Sequence, residues 1–256
     1  MDLHYAEFGE GAPLVLVHGL FGSATNWRGV ARVLSDRFHV ITVDLPNHGR
    51  SEHTPTMHYA AMSTALRELA NRTGYDKLSW VGHSMGGKAV MDLALTHPEY
   101  VCRLVVVDIA PVPYTGNHAG LIDAMMNLDL SSINSRADAD RALSAVIGDT
   151  PTRLFLLQNL VPEDGGYHWR LNLPVLNGHL DDIMGFREHA GVTFRGPVLA
   201  LNGENSDYVT SAHHPIFLKY FPDVTFETIT DAGHWVQADQ PRAVCEALIR
   251  FMNEHS

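Results

Sequence analysis

A mainly parallel β-sheet with helices on both faces is the architecture that this 256-residue sequence predicts, and three observations predict it. Short apolar runs of strand character alternate with stretches of helical character along most of the chain, the pattern of an α/β domain. One junction, Gly82-His83-Ser84-Met85-Gly86, joins an apolar strand to a helix through a turn that must be sharp. The alternation breaks once, at 111–191, a stretch of about eighty residues and too long for a single crossover helix. The expected organisation is therefore a core of residues 1–110 and 192–256, with 111–191 as a small helical insertion capping the carboxyl edge of the sheet.

The elements follow in order. Leu14-Val15-Leu16-Val17 is a short apolar run of buried-strand type, and helical sequence begins after Asn26. A second strand is expected around Val40 and a helix after His58. Leu78 to Val81 is again strand-like, and Lys88 to Thr96 has Ala89, Val90, Leu93 and Ala94 at helical spacing. Arg103 to Val107 is the next strand. Inside the insertion, Leu121 to Leu130 and Ala137 to Ile147 read as helices, and Val161 to Tyr167, with two glycines, reads as a turn. Strands return near Val198 and at Val224 to Ile229, and Pro241 opens a final helix in its first turn.

The junction at residues 82–86 carries chemistry. Gly82 and Gly86 flank Ser84 where a side chain would collide with the neighbouring strand or helix, so the backbone tightens and the hydroxyl stands clear of the sheet. Ser84 is thus a candidate nucleophile. The first strand runs into His18-Gly19-Leu20-Phe21-Gly22-Ser23, a loop suited to stabilising an oxyanion. Two backbone amides are the expected donors, that of Met85 just after the serine and that of Leu20, with Phe21 the weaker second choice. A weak nucleophile needs a base within reach. Asp231-Ala232-Gly233-His234-Trp235, a loop after the last strand, offers His234. Of the sixteen histidines, His18 and His83 lie inside motifs and are expected to orient loop backbone. His213 and His214 have no carboxylates at ligand spacing, and no HExxH or CxxC occurs, so no metal is expected.

Composition narrows the classes. The chain is 45% hydrophobic, enough for one large domain. With 18 basic against 29 acidic residues, its charge of -11 argues against nucleic acid or an anionic membrane as partner. No apolar leader precedes the first strand and no run approaches the length of a bilayer span, which predicts a cytoplasmic protein. Cys102 and Cys245 lie beside apolar runs and are expected to be core thiols.

The motifs together resemble the α/β-hydrolase fold, and within it the YbfF-type esterases and their ABHD-type relatives. The resemblance rests on residues 18–23, on Asp44-Leu45-Pro46-Asn47-His48-Gly49-Arg50-Ser51, on Gly82 to Lys88, on Val107-Asp108-Ile109-Ala110-Pro111, and on Ala232-Gly233-His234-Trp235. It implies a serine carboxylesterase that acts on short acyl esters without a cofactor. A thioesterase, C–C hydrolase or perhydrolase on the same residues, or a binding protein that has lost turnover, are the alternatives. The order Ser, acid, His leaves several acids in play: Asp108, Asp207, and Asp181 or Asp182. The pattern Gly-X-X-Asp-X-X-Val common in the superfamily falls on Gly203 to Val209 with Ser206 in place of the acid and Asp207 displaced by one. The resemblance favours Asp108, at the end of its strand, with Ser206 as a supporting hydrogen-bond partner and Asp207 as the rival. The 44–51 loop would support the oxyanion loop. The expected reaction is two-step acyl transfer, with His234 taking the Ser84 proton and water releasing the acid. Phe155, Leu156, Tyr167 and Trp169 are aromatic or apolar residues of the insertion available to line an acyl pocket.

Overall fold

The computed structural model describes residues 1–163 and 165–254. In chain order, the first half runs β1 (Tyr5–Phe8), β2 (Ala12–Val17), α1 (Arg28–Leu34), β3 (Phe38–Val43), α2 (Tyr59–Thr73), β4 (Leu78–His83), α3 (Met85–Thr96) and β5 (Val101–Val107). The insertion supplies α4 (His118–Met126), α5 (Arg136–Ser144), α6 (Thr150–Leu157), β6 (Leu160–Glu163), β7 (Gly166–Trp169), α7 (Leu173–Gly178) and α8 (Leu180–Met184). The chain then returns through β8 (Val198–Gly203), α9 (His214–Tyr220), β9 (Val224–Ile229), α10 (Val236–Asp239) and α11 (Pro241–Glu254).

The main sheet has the order β1-β3-β2-β4-β5-β8-β9, parallel except for β1, which pairs antiparallel with β3 at one edge. Successive strand residues point to opposite faces, and the core divides accordingly. Leu14, Leu16, Val81 and Val105 pack with Trp27 and Val30 beneath α1 and α11. Val15, Val17, Trp80 and Leu104 pack with Met62 of α2 and Ala89 of α3 on the other side. That second cluster continues without a break into Ile122, Leu143, Leu156 and Leu176 of the insertion. The insertion is therefore cemented to one face of the sheet by burial of apolar surface. Helix α11 shows why the final helix forms: Val244, Leu248 and Phe251 recur at helical spacing and are buried, while Arg242 and Glu246 pair on the exposed side. Helix α2 ends at Gly74, whose φ of 74° terminates it in the left-handed region.

Most expected elements appear, with differences inside the insertion. The turn expected at 161–167 is the heart of a β-hairpin, with Val161 opposite His168 and Glu163 opposite Gly166; residue 164 of that turn lies outside the described residues. The helix expected over 121–130 starts earlier and ends at Met126, because Asp129 folds the chain into a capped 3-10 turn at Leu130–Ser132. The one expected over 137–147 ends at Ser144 and is capped by Ser135, whose hydroxyl accepts the Asp138 amide. Cys245 is buried as expected, its thiol pushed up to about 11 by burial, but Cys102 is only half-buried, at the start of β5 where the register with β4 shifts and passes it over.

Strand β4 lies between β2 and β5, so the β4–α3 turn stands at the middle of the sheet's carboxyl edge. Its geometry depends on bare backbone. Ser84 has φ 52° and ψ −122°, and a Cβ on Gly82 would lie 2.3 Å from the Gly86 carbonyl oxygen. Gly82→Ala should therefore cost about 2 kcal/mol or more, read as a fall in Tm of roughly 4–8 °C for a domain of this size. An unchanged melting curve would mean that the turn does not need this contact.

Candidate active site

The β4–α3 turn presents Ser84, and its amide is fixed by the Val107 carbonyl at 3.0 Å. His234, on the loop after β9, places Nε2 3.1 Å from Ser84 Oγ. Its Nδ1 lies 2.7 Å from Oδ2 of Asp108, at the end of β5. Asp108 is fully buried and turns away from its strand with φ 52°. The same Oδ2 accepts the Ser206 hydroxyl at 2.5 Å, while Oδ1 accepts the Gly203 amide at 3.1 Å. The buried carboxylate thus has three hydrogen-bond donors, which offset the cost of removing it from water. Asp207 is exposed on the neighbouring loop, and Asp181 and Asp182 are exposed on α8, with Asp182 bound to His179. Residue for residue, the structure brings together Ser84, His234, Asp108 and Ser206 and leaves the other acids outside.

The imidazole of His234 is held in its plane as well as by its nitrogens. Tyr208 stacks on one face at 3.9 Å and 20°, and the His83 ring lies 4.8 Å away, tilted by 45°. Tyr208 is itself fixed, its carbonyl accepting the Tyr114 hydroxyl at 2.5 Å and its amide donating to Ser206 Oγ at 3.3 Å. Sequence reasoning missed Tyr208, since nothing in a lone aromatic two residues after Ser206 announces a stack.

The two expected oxyanion donors flank the serine. Met85 opens α3, where the first amides have no acceptor within the helix. The Phe21 amide is taken by His48 Nε2 at 3.2 Å, whereas no hydrogen bond joins the Leu20 amide to another described residue. The second choice, Phe21, is thus excluded by a competing acceptor. Asp44 reaches over to the same loop, its Oδ1 accepting the Ala24 amide at 2.6 Å and its Oδ2 the Arg50 amide at 3.0 Å. The 44–51 loop does brace the loop of residues 18–23.

Three histidines act here as neutral adapters. His18 donates from Nδ1 to the Gly19 carbonyl and accepts the Leu45 amide at Nε2. His48 donates from Nδ1 to the Pro46 carbonyl while accepting from Phe21, and His83 donates from Nε2 to the His234 carbonyl. A ring that accepts at one nitrogen and donates at the other, as those of His18 and His48 do, must be neutral. Burial depresses all three, His48 and His83 to about 3, with neighbouring histidines adding to the effect for those two.

The serine opens onto a cleft of about 410 Å³ between the sheet edge and the insertion. Leu121, Phe155, Leu156, Trp235 and Gln237 contribute to its walls. Of the four insertion residues available to line a pocket, Phe155 and Leu156 wall this larger cleft and neither bounds the smaller lobe beside Ser84. Tyr167 and Trp169 line neither space, because they belong to the β6–β7 hairpin, where the Trp169 indole donates to the Met125 carbonyl. A second, smaller lobe of about 20 Å³ also touches Ser84, and is bounded by Met85, Lys88, Ile109 and Tyr114. Among the described residues no cluster of three metal-ligating side chains occurs; His213 caps a turn at Thr210 and His214 stacks on Phe226. No helix there is long and apolar enough to cross a membrane.

A family model for the alpha/beta hydrolase fold matches residues 12–241. The chain belongs to the α/β-hydrolase-fold family. Among curated relatives of this hydrolase-fold chain, the sn-1-specific diacylglycerol lipase ABHD11 of Mus musculus is 43% identical over 247 residues, 93% of this chain and 80% of that protein. Esterase YbfF of Escherichia coli strain K12 is 37% identical over 244 residues, 95% of this chain and 94% of its own. A solved structure described as a marine microorganism esterase superposes with a TM-score of 0.94 at 36% identity, covering 98% of this chain and 99% of that one. The resemblance to YbfF-type esterases and ABHD-type relatives, read from five motifs, is borne out.

The neutral histidines make stability depend on pH. Between the ordinary value of 6.5 and the folded value of about 3, the unfolded chain binds a proton at His48 and at His83 that the folded chain refuses. Stability is therefore full above pH 6.5 and falls with acidification through that window, by about 1.4 kcal/mol per pH unit for each imidazole. Urea melts at pH 6 and pH 4.5 measure the slope. His48→Gln, which keeps one donor and one acceptor, should flatten it by one imidazole's share, and an unchanged slope would contradict a neutral His48.

Proposed function

We propose that this hydrolase-fold protein is a serine carboxylesterase that works through an acyl-enzyme intermediate. The observation that carries the reading is the unbroken hydrogen-bonded line from Ser84 Oγ through His234 to the buried Asp108. In the first half-reaction His234 Nε2 takes the Ser84 proton as Oγ attacks the ester carbonyl, and the amides of Leu20 and Met85 receive the developing oxyanion. The imidazolium then protonates the leaving alcohol. In the second half-reaction His234 deprotonates water, which releases the acid and restores the serine. Asp108 holds the tautomer with Nε2 free to accept and balances the imidazolium charge. Ser206 and the Gly203 amide hold the Asp108 carboxylate in place. Residues 111–191 serve as the cap that walls the cleft, and the named activities of the esterase and lipase relatives agree with this chemistry.

The division of the cavity supports a preference for short acyl groups. The leaving oxygen must be within reach of the imidazolium, so the alcohol lies in the lobe whose wall includes His234, the 410 Å³ cleft. The acyl chain points the other way, into the lobe bounded by Met85, Lys88 and Tyr114, where about 20 Å³ is free. Space of that order holds one water or a group of a few atoms. Across a series of p-nitrophenyl esters, kcat/KM should fall as the acyl chain lengthens beyond a few carbons. A series that rises to long chains would reverse the assignment of the lobes and make the protein a lipase.

Ser84→Ala should lower kcat by about a million-fold, as loss of the nucleophile does in another serine hydrolase, and should abolish labelling by a fluorophosphonate probe. Asp108→Asn should cost about ten-thousand-fold by presenting the wrong imidazole tautomer, while Asp207→Asn, on the exposed loop, should cost little. Measured on one short ester, with circular dichroism confirming folding, a crippled Asp207→Asn beside an active Asp108→Asn would reassign the acid.

A further inference from the structure

Lys88 is the residue of the elbow segment that the mechanism does not use. It follows Ser84 by one turn of α3, and side chains on a helix lean toward its N-terminus, so the ammonium is carried toward the nucleophile's end of the helix. The residue is 2% exposed and bounds the small lobe that also touches Ser84. Nζ donates to the Met184 carbonyl at 2.9 Å and to the Gly185 carbonyl at 2.6 Å. The ring of Tyr114 lies 4.8 Å from Nζ and that of Tyr59 5.9 Å. An ammonium has three N–H bonds, and two are spent.

What this cation lacks is an anion. No carboxylate among the described residues forms an ion pair with it. Asp92, one turn further along α3, is engaged by the Ser63 hydroxyl, His189 and Arg187. Burial without a counter-ion depresses the Lys88 ammonium to about 7. A clamp on the 183–185 segment would not require a charge, since the Tyr59 hydroxyl already holds the Ile183 carbonyl at 2.5 Å and the Tyr114 amide holds that of Met184 at 2.9 Å. Buried charges are costly unless paired, and the open space beside this one is the lobe assigned to the acyl chain.

We propose that the small lobe is a subsite for acyl groups that end in a carboxylate, so that the preferred substrates are monoesters of short dicarboxylic acids, with Lys88 binding the far carboxylate. This rests on the esterase reading and on the placing of the acyl chain opposite His234. It adds to that reading a substrate class: the acyl group is short and anionic, while the alcohol is left to the larger cleft.

The test uses the full chain and matched ethyl esters: ethyl hydrogen malonate against ethyl malonamate, and ethyl hydrogen succinate against ethyl succinamate. The carboxamide keeps the shape and removes the charge. Each kcat/KM is divided by the ester's own rate with hydroxide, which cancels intrinsic reactivity. The wild-type chain should favour the carboxylate by about ten-fold or more in at least one pair, the size expected of a hydrogen bond to a charged group. Lys88→Met should bring that ratio to about one or below, and Lys88→Arg should retain part of it. Because the ratio is internal to each preparation, loss of some folded protein does not alter it, and the wild-type ratio decides even if Lys88→Met does not fold. A wild-type ratio of one or less in both pairs, with ethyl acetate hydrolysed, overturns the proposal and leaves the esterase standing, as does a folded Lys88→Met that keeps the wild-type preference. A wild-type chain that hydrolyses none of these esters, ethyl acetate included, overturns both.

Discussion

The site hangs on one backbone turn. Ser84 is held at positive φ between β4 and α3, a conformation that costs a residue with a side chain about 1–3 kcal/mol. It persists because its surroundings over-determine it. The Gly82 and Gly86 backbones meet without a Cβ between them, Gly86 lies against the His18 carbonyl, and α3 is buried along nearly its whole length. The turn sets three directions at once. It lifts Oγ off the sheet, points the first amide of α3 at the space beside it, and delivers Lys88 one turn later to the floor of the small lobe. The insertion and the loops from β2, β5 and β9 are arranged around those directions.

Histidine is the material of the loops because each ring offers a donor and an acceptor on a rigid frame. His18 and His48 each join two backbone segments, the first linking Gly19 to Leu45 and the second Phe21 to Pro46, so the loop of residues 18–23 and the 44–51 loop are stitched twice. A lysine or carboxylate in those positions could offer only one kind of group and would bring a charge into a dry place. His48 also occupies the Phe21 amide, while the neighbouring Leu20 amide is joined by no hydrogen bond to another described residue.

The sheet and the serine turn were legible because they depend on short-range patterns: apolar runs, glycines around a serine, and a Gly-His pair after a strand. The placing of Asp108 beside His234 was legible for a subtler reason, that Ser206 stands where an acid would otherwise follow β8. The structure adds that Ser206 Oγ reaches the Asp108 carboxylate, so the serine fills the space that a second carboxylate would contest. What escaped the sequence were elements whose stability is tertiary. Strand β1 has partly buried and exposed residues and exists by pairing with β3. Helices α7 and α8 are too short to be stable alone and persist because Leu173, Leu176 and Ile183 join the core. Tyr167 and Trp169 were misplaced because a hairpin and a turn share the same glycines, and only pairing with Leu160–Glu163 decides which way the aromatics face.

The opposite charges on α3 are kept apart although they are one turn from each other. Lys88 and Asp92 are both buried and stand four residues apart on the same face, the spacing at which a lysine and a carboxylate normally pair. Asp92 instead draws Ser63 from α2 and His189 and Arg187 from the segment leaving the insertion. That arrangement ties the segment to the core through the carboxylate, while Tyr59 and Tyr114 hold it at Ile183 and Met184 through neutral groups. With the segment fixed from both sides and the carboxylate occupied, the ammonium of Lys88 is left facing the lobe beside Ser84. The separation of the pair is thus the physical reason that the lobe beside Ser84 is bordered by an unmatched positive charge.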